Sequence, residues 1–221
     1  MNPARSRANA GRCGNTGTGC ADYGDPFPMI EFALEKYPVR QTLTTGVQML
    51  IRPLQPDDTP AFTKFHEAIP NGERFLIKHR VSGVGDIDAW CHDLNYDKRL
   101  TLVAIADGGV VGYASLNQRP GGWKRHIGMV DALIHPQFRG AGVLRALLND
   151  LVEAAQHAGL TRLEAEFNGE RKNTVQSFRK CGFDVLLHVP DYLSDMDGEP
   201  HDYVLMGMNL ALAIEDMGAG D

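Results

Sequence analysis

Apolar and polar positions divide this chain into short alternating runs and longer helical stripes. Residues 47–53 alternate as a strand does. Asp57 or Asp58 is placed to cap a helix to about residue 69, turning Phe62, Phe65 and Ile69 inward. Asp86 is placed to cap a second helix with Ile87, Trp90 and Leu94 on its apolar face. Residues 100–106 and 110–116 are apolar strands, and Asp107-Gly108-Gly109 between them predicts a hairpin turn. Pro120-Gly121-Gly122 turns the chain into a strand over 124–135. Then Leu144, Leu147, Leu148, Leu151 and Ala155 recur at helical spacing, with Arg145, Asn149, Glu153 and Gln156 opposite. Gly159 ends that helix. A strand over 160–167, a helix over 173–181 stopped by Gly182, and strands over 183–188 and 202–210 complete the pattern. Ahead of residue 47, residues 29–37 read as a short helix stopped by Pro38, and 41–46 as a strand or connection. The order implies an α/β fold, a mixed sheet with helices on both faces.

The turn at 139–142 stands out. Arg139-Gly140-Ala141-Gly142 joins an apolar strand to an amphipathic helix, and no Ser, Thr, Asp or Asn is present to cap it. The first N–H groups of that helix are bare and lie at the positive end of its dipole, which suits an anion such as a phosphate. A P-loop requires Gly-Lys-Ser/Thr, but Val143 follows Gly142. A dinucleotide fingerprint requires a third glycine and an acidic residue closing the unit, and both are missing. A turn whose glycines serve packing alone stays open at this point.

Composition narrows the class. Of 221 residues 43% are hydrophobic, enough for a sizeable core, and the net charge of −6 gives a nucleic-acid partner no support. No apolar run approaches the roughly 20 residues of a membrane span. The four cysteines, Cys13, Cys20, Cys91 and Cys181, form neither a C-x-x-C pair nor a disulfide framework. No metal is expected, and a cytoplasmic protein is. Residues 1–28 are rich in Gly, Ala, Asn and Arg and should form a disordered extension. Residues 29–46 read as a short helix and connecting segment, 47–212 as the folded domain and 213–221 as a flexible tail.

Arg139-Gly140-Ala141-Gly142-Val143-Leu144 resembles the Arg/Gln-x-x-Gly-x-Gly/Ala loop of the GNAT superfamily of N-acetyltransferases. His135-Pro136-Gln137-Phe138 before it is similar to the usual entry to that loop, and Phe178 to Phe183 to the helix end before Gly-Phe. Ile51-Arg52-Pro53-Leu54 with Asp57-Asp58 resembles the family's first strand and helix start, and Val110-Val111-Gly112-Tyr113 its third strand. Trp90 ahead of Leu94-Asn95-Tyr96, with His201-Asp202 near the end, resembles a bacterial branch.

The resemblance implies a mostly antiparallel sheet splayed between its fourth and fifth strands, here 124–135 and 160–167. It implies acetyl-coenzyme A in the gap, with pyrophosphate on the amides of Arg139, Gly140, Ala141, Gly142, Val143 and Leu144 and pantetheine beside Leu133 and Ile134. Leu144 departs from the usual Gly or Ala, and its apolar spacing turns it toward the core. The family's pantetheine-binding Asn falls by strict spacing on Arg171, flanked by Asn168 and Asn173; Asn173 is the residue assigned here.

The implied activity is direct transfer of acetyl to a primary amine, whether a protein lysine or a small amine. An alkylammonium near pKa 10.4 leaves about one molecule in 10³ neutral at pH 7, so a base must help. The candidates are Asp131 and Glu166, with His126 behind them. Strand alternation puts Glu164 on the face of Glu166. The tyrosine that commonly protonates the thiolate is replaced by Phe178, which favours an alternative, a non-catalytic acetyl-CoA sensor. The sequence leaves the oligomeric state open, a homodimer included.

Overall fold

A computed structural model describes residues 31–70, 73, 84–119, 121–195 and 197–210. The extension 1–28, with Cys13 and Cys20, and the tail 213–221 lie outside the described residues. In chain order the elements are α1 (Glu31–Leu34), β1 (Val39–Thr42), β2 (Gln48–Pro53), α2 (Thr59–Glu67), α3 (Val84–His92), β3 (Arg99–Ala106) and β4 (Gly109–Asn117). There follow β5 (Ile127–Ile134), α4 (Val143–His157), β6 (Arg162–Asn168), α5 (Lys172–Lys180), β7 (Asp184–Ser194) and β8 (Pro200–Asn209).

One sheet carries all eight strands in the order β1-β2-β3-β4-β5-β6-β8-β7. Every neighbouring pair is antiparallel except β5 and β6, which run parallel. That pairing is short: Ile127–Arg162, Gly128–Leu163 and Met129–Glu164. Beyond it β5 stays on β4 as far as Ile134–Gly112, and β6 stays on β8 as far as Asn168–Tyr203. The two strands therefore part after Met129 and Glu164. This is the expected splay, at the strands numbered β5 and β6 because Val39–Thr42 adds one at the edge.

Side-chain alternation divides the sheet between two cores. Leu100, Leu102 and Leu116 face one way, with Leu147, Leu148 and Leu151 of α4 packed over them. Val103, Tyr113 and Leu133 face the other way, against Phe62 and Phe65 of α2 and Trp90 of α3. Phe62, Leu102 and Leu147 are completely buried, each contributing about 1.5–3 kcal/mol. The aromatic core packs edge to face, Tyr113 lying 5.3 Å from Phe62 and 5.2 Å from Trp90 between ring centroids.

The structure corrects several expectations. Of the strand or connection read over 41–46, a strand forms, but it spans 39–42, and Ala33 and Leu43 are buried in the α4 core. Asp58 stands at the start of α2 but makes no cap bond to it. Instead its carboxylate takes both Arg52 nitrogens at 2.6 Å and the Gln55 N–H at 2.9 Å, so β2 recruits the side chain. Asp86 lies inside the first turn of α3, where its charge complements the helix dipole. The strand expected from 124 starts at Ile127, because residues 123–126 still belong to the glycine turn. β7 runs to Ser194, past Pro190, which a sheet edge tolerates.

Candidate functional site

The loop after β5 is built around two left-handed glycines. Gly140 has φ +78° and Gly142 +95°, a region that side-chain-bearing residues enter only at a cost of about 1–2 kcal/mol. Gly142 is the N-cap of α4 and has no side-chain cap, as the sequence implied. The first helical bond is Ala146 N–H to Gly142 O, at 3.1 Å. Among the described residues no backbone acceptor meets the N–H of Gly140, Gly142, Val143 or Leu144. Ala141 has a different part. Its N–H donates to Phe138 O at 3.3 Å, and its carbonyl accepts from Thr44 N–H and Oγ at 3.2 and 3.1 Å. It is buried and ties the loop to the turn between β1 and β2.

These bare amides open onto a cavity of about 560 Å³. Ala132, Leu133 and Ile134 of β5 form one wall, Gly140 with Gly142 to Arg145 the floor, and Arg171 with Asn173 and Phe178 of the α5 segment the far wall. Leu133, Ile134, Arg139, Gly140, Gly142, Val143, Leu144 and Asn173 are thus brought together, while Ala141 stays beneath. Leu144 is half-buried; it packs on the core and also touches the cavity. Asn173 sits one residue inside α5 and is exposed, whereas Arg171 is the N-cap residue. The capping bond of this turn belongs to Asn168, whose Oδ1 accepts from Glu170 N–H at 2.9 Å.

Glu73, which sequence spacing did not single out, completes the wall beside Arg171, on which that spacing falls. Glu73 grips Arg139 with both carboxylate oxygens, at 3.0 and 2.6 Å, and Arg139 Nε donates to Ile134 O at 3.2 Å. Burial lowers the pKa of the Arg171 guanidinium, against the pull of Glu73 and Tyr113 and with the push of Arg139. The loop carrying Arg171 is itself held. Gly169 N–H donates to Asp202 O at 2.8 Å, and His201 bridges Glu170 at 3.0 Å and Asp195 at 3.1 Å. Asp195 first, then Glu170, raises the His201 pKa against its desolvation.

The opposite face of β5 carries the candidate bases. Asp131 lines a groove of about 410 Å³ between α3 and the β4 end, and accepts from Asn117 Nδ2 at 2.8 Å. Glu166 lines a recess of about 70 Å³ beside it and accepts from the Tyr203 hydroxyl at 3.2 Å. Burial first and then Glu166 push Tyr203 up to about 12, so its hydroxyl stays protonated. Arg119 and Met129 line both groove and recess, which are therefore adjacent. Asp131 and Ala132, neighbours in sequence, point into opposite cavities. His126, before β5, accepts from Thr161 and Arg162 through its carbonyl and lines neither. Phe178 is fully buried, its ring 4.7 Å from Phe167 and 5.1 Å from Phe183.

The acetyltransferase (GNAT) family model matches residues 65–183, more than half of the chain. The chain belongs to the GNAT family. A GNAT-family acetyltransferase from Streptococcus pneumoniae shares the fold, with a TM-score of 0.63 and 22% identity over 73% of this chain and 99% of that one. The ribosomal-protein-alanine N-acetyltransferase of Brucella melitensis matches with a TM-score of 0.63 and 26% identity over 72% of this chain and 99% of its own. The yncA protein of Salmonella typhimurium, whose structure includes acetyl-CoA, matches with a TM-score of 0.63 and 24% identity over 73% and 94%. This GNAT protein is an acetyl-CoA-dependent acyltransferase, with acetyl-CoA as cosubstrate. Among its described residues no cluster of His, Cys, Asp or Glu could hold a metal ion, and no helix is long and apolar enough to cross a membrane.

Proposed function

We propose that this protein moves an acetyl group from acetyl-CoA directly to a primary amine. The observation that carries the reading is the parting of β5 from β6, with a cavity on one face of β5 and an acidic groove and recess on the other. Gly140, Gly142, Val143 and Leu144 present their amides to the pyrophosphate, and Arg139 and Arg171 add positive charge. Leu133 and Ile134 flank the pantetheine, and Asn173 faces it from α5. Ala141 supports the loop from below. The amine enters from the opposite face, where Asp131 and Glu166 are the bases able to remove its proton.

A covalent acetyl-enzyme finds less support. Cys181 lines the cofactor cavity, but burial raises its pKa and keeps the thiol protonated at neutral pH. Cys91 is buried in the aromatic core. Transfer within a complex of both substrates needs neither.

The test is thiol release from acetyl-CoA across a panel of amines, with Asp131→Asn and Glu166→Gln alongside. The residue that acts as base should lose about 10²–10⁴-fold in kcat with unchanged acetyl-CoA affinity. Acetylated protein accumulating on mixing with acetyl-CoA alone would replace direct transfer with an acetyl-enzyme route.

A further inference from the structure

The recess on the acceptor face holds opposite charges that do not meet. Glu164 is 6% exposed and lines the recess, yet among the described residues no group donates a hydrogen bond to it. The residue is buried, yet its carboxylate oxygens keep access to the recess, where the cation of a ligand can supply the missing charge. Glu166 lies two residues along on the same face, satisfied by Tyr203. Across the recess stand Arg119 and Lys124, both exposed, and neither forms an ion pair with a described residue. Arg119 also forms the wall shared with the larger groove, which continues past Asn117 and Asp131.

We propose that the acceptor is a small zwitterion, an amine that carries its own carboxylate, as an amino acid does. This rests on the reading of the protein as an amine acetyltransferase. The ammonium is held by Glu164, beside the candidate bases. The carboxylate is met by the Arg119 fork, which matches carboxylate geometry with two parallel bonds. The remainder of the molecule lies in the polar groove, whose 410 Å³ suits a side chain of ordinary size. A polyamine fits less well, because its second cation would face Arg119 and Lys124. A simple alkylamine leaves Arg119 unused.

The experiment offers the full-length protein L-α-amino acids, their amides, and diamines of matching length, with acetyl-CoA present. The free acids should exceed their own amides by about tenfold or more in kcat/KM, the effect of a charge-assisted pair. Arg119→Gln, an exposed change that leaves the core untouched, should lower the acids alone and bring that ratio close to one. Glu164→Gln should raise KM for acids and amides together without changing acetyl-CoA affinity. Amides or diamines preferred over acids, or an acid-to-amide ratio unmoved by Arg119→Gln, overturn the proposal. If no amine releases thiol, the acetyl-transfer reading fails separately. Calorimetric titration of the same panel into CoA-saturated protein then decides: binding of acids over amides that depends on Arg119 supports the zwitterion site, and equal binding overturns it.

Discussion

Phe178 shows what one ring does for the reaction. It stands where the resemblance places a proton-donating tyrosine, and its buried ring packs between Phe167 and Phe183. The thiolate leaves without help from that residue, which its ordinary pKa near 8.5 permits. Removal of the amine proton is then the step that the protein must assist. Phe178→Leu should therefore change kcat by far less than the roughly 10²-fold floor for deleting an acid, although it costs stability. The rate should rise with pH through a single ionisation. Tyr203, pushed up to about 12, contributes no falling limb below that pH. A bell-shaped profile whose upper limb disappeared in Tyr203→Phe would place the acid on β8. Residues of this kind divide sharply in how legible they are. Gly140 and Gly142 declare themselves, because their backbone angles admit little else. Glu73 does not, because 66 residues separate it from Arg139 and no local pattern links them.

Elements were legible where burial imposed a period. β3, β4 and α4 appear within a residue or two of expectation, since each has a face in a core. β1 and β7 were harder. β1 alternates only between half-buried and exposed positions, and most of β7 is exposed on both faces, so neither imprints a hydrophobic rhythm. The β7–β8 hairpin is instead anchored by His201, which also holds the loop that presents Arg171. Its raised pKa fixes the sign of a pH effect. A group whose pKa is higher in the folded state stabilises fully below its unfolded value, about 6.5, and loses that contribution as pH rises through the folded value. Asp195, held low chiefly by His201, sets the acid limit, because its share is lost as pH falls through its folded value. The Tm gap between wild type and His201→Gln should be widest near pH 5–6 and close on the alkaline side. A gap that stayed constant from pH 5 to 9 would show that the imidazole acts through shape alone.

At the scale of the whole chain, the boundary of the folded unit moves toward the N-terminus. Lys36 reaches Asp150 and Glu153 of α4 at 3.0 and 2.6 Å, Leu43 is buried, and Thr44 holds Ala141 under the phosphate loop. We propose that residues 1–28 are dispensable, so a chain starting near 29 should keep its Tm and acetyl-CoA affinity. A chain starting at 47 should lose both. Burial of Leu43 alone is about 2 kcal/mol, or about 4–8 °C of Tm in a chain of this size. Thermal melts and acetyl-CoA titrations of the two truncations distinguish these outcomes.

The parting of β5 from β6 has a further consequence, for aggregation. It gives the sheet two edges in its middle, and edges recruit foreign strands. The outer edges are poor templates: β1 is four residues long, and β7 carries Pro190 and two breaks in register. The inner edges are guarded differently. α4 packs over one face of β5 and the α2–α3 aromatic core over the other. An invading polypeptide must place side chains on both faces, and on one of them the start of α4 and the α5 segment wall the cavity in. A thin arm such as pantetheine carries no regular row of side chains to place. The fold sorts entrants by width, admitting its cosubstrate through a gap that would otherwise be a seed for polymerisation.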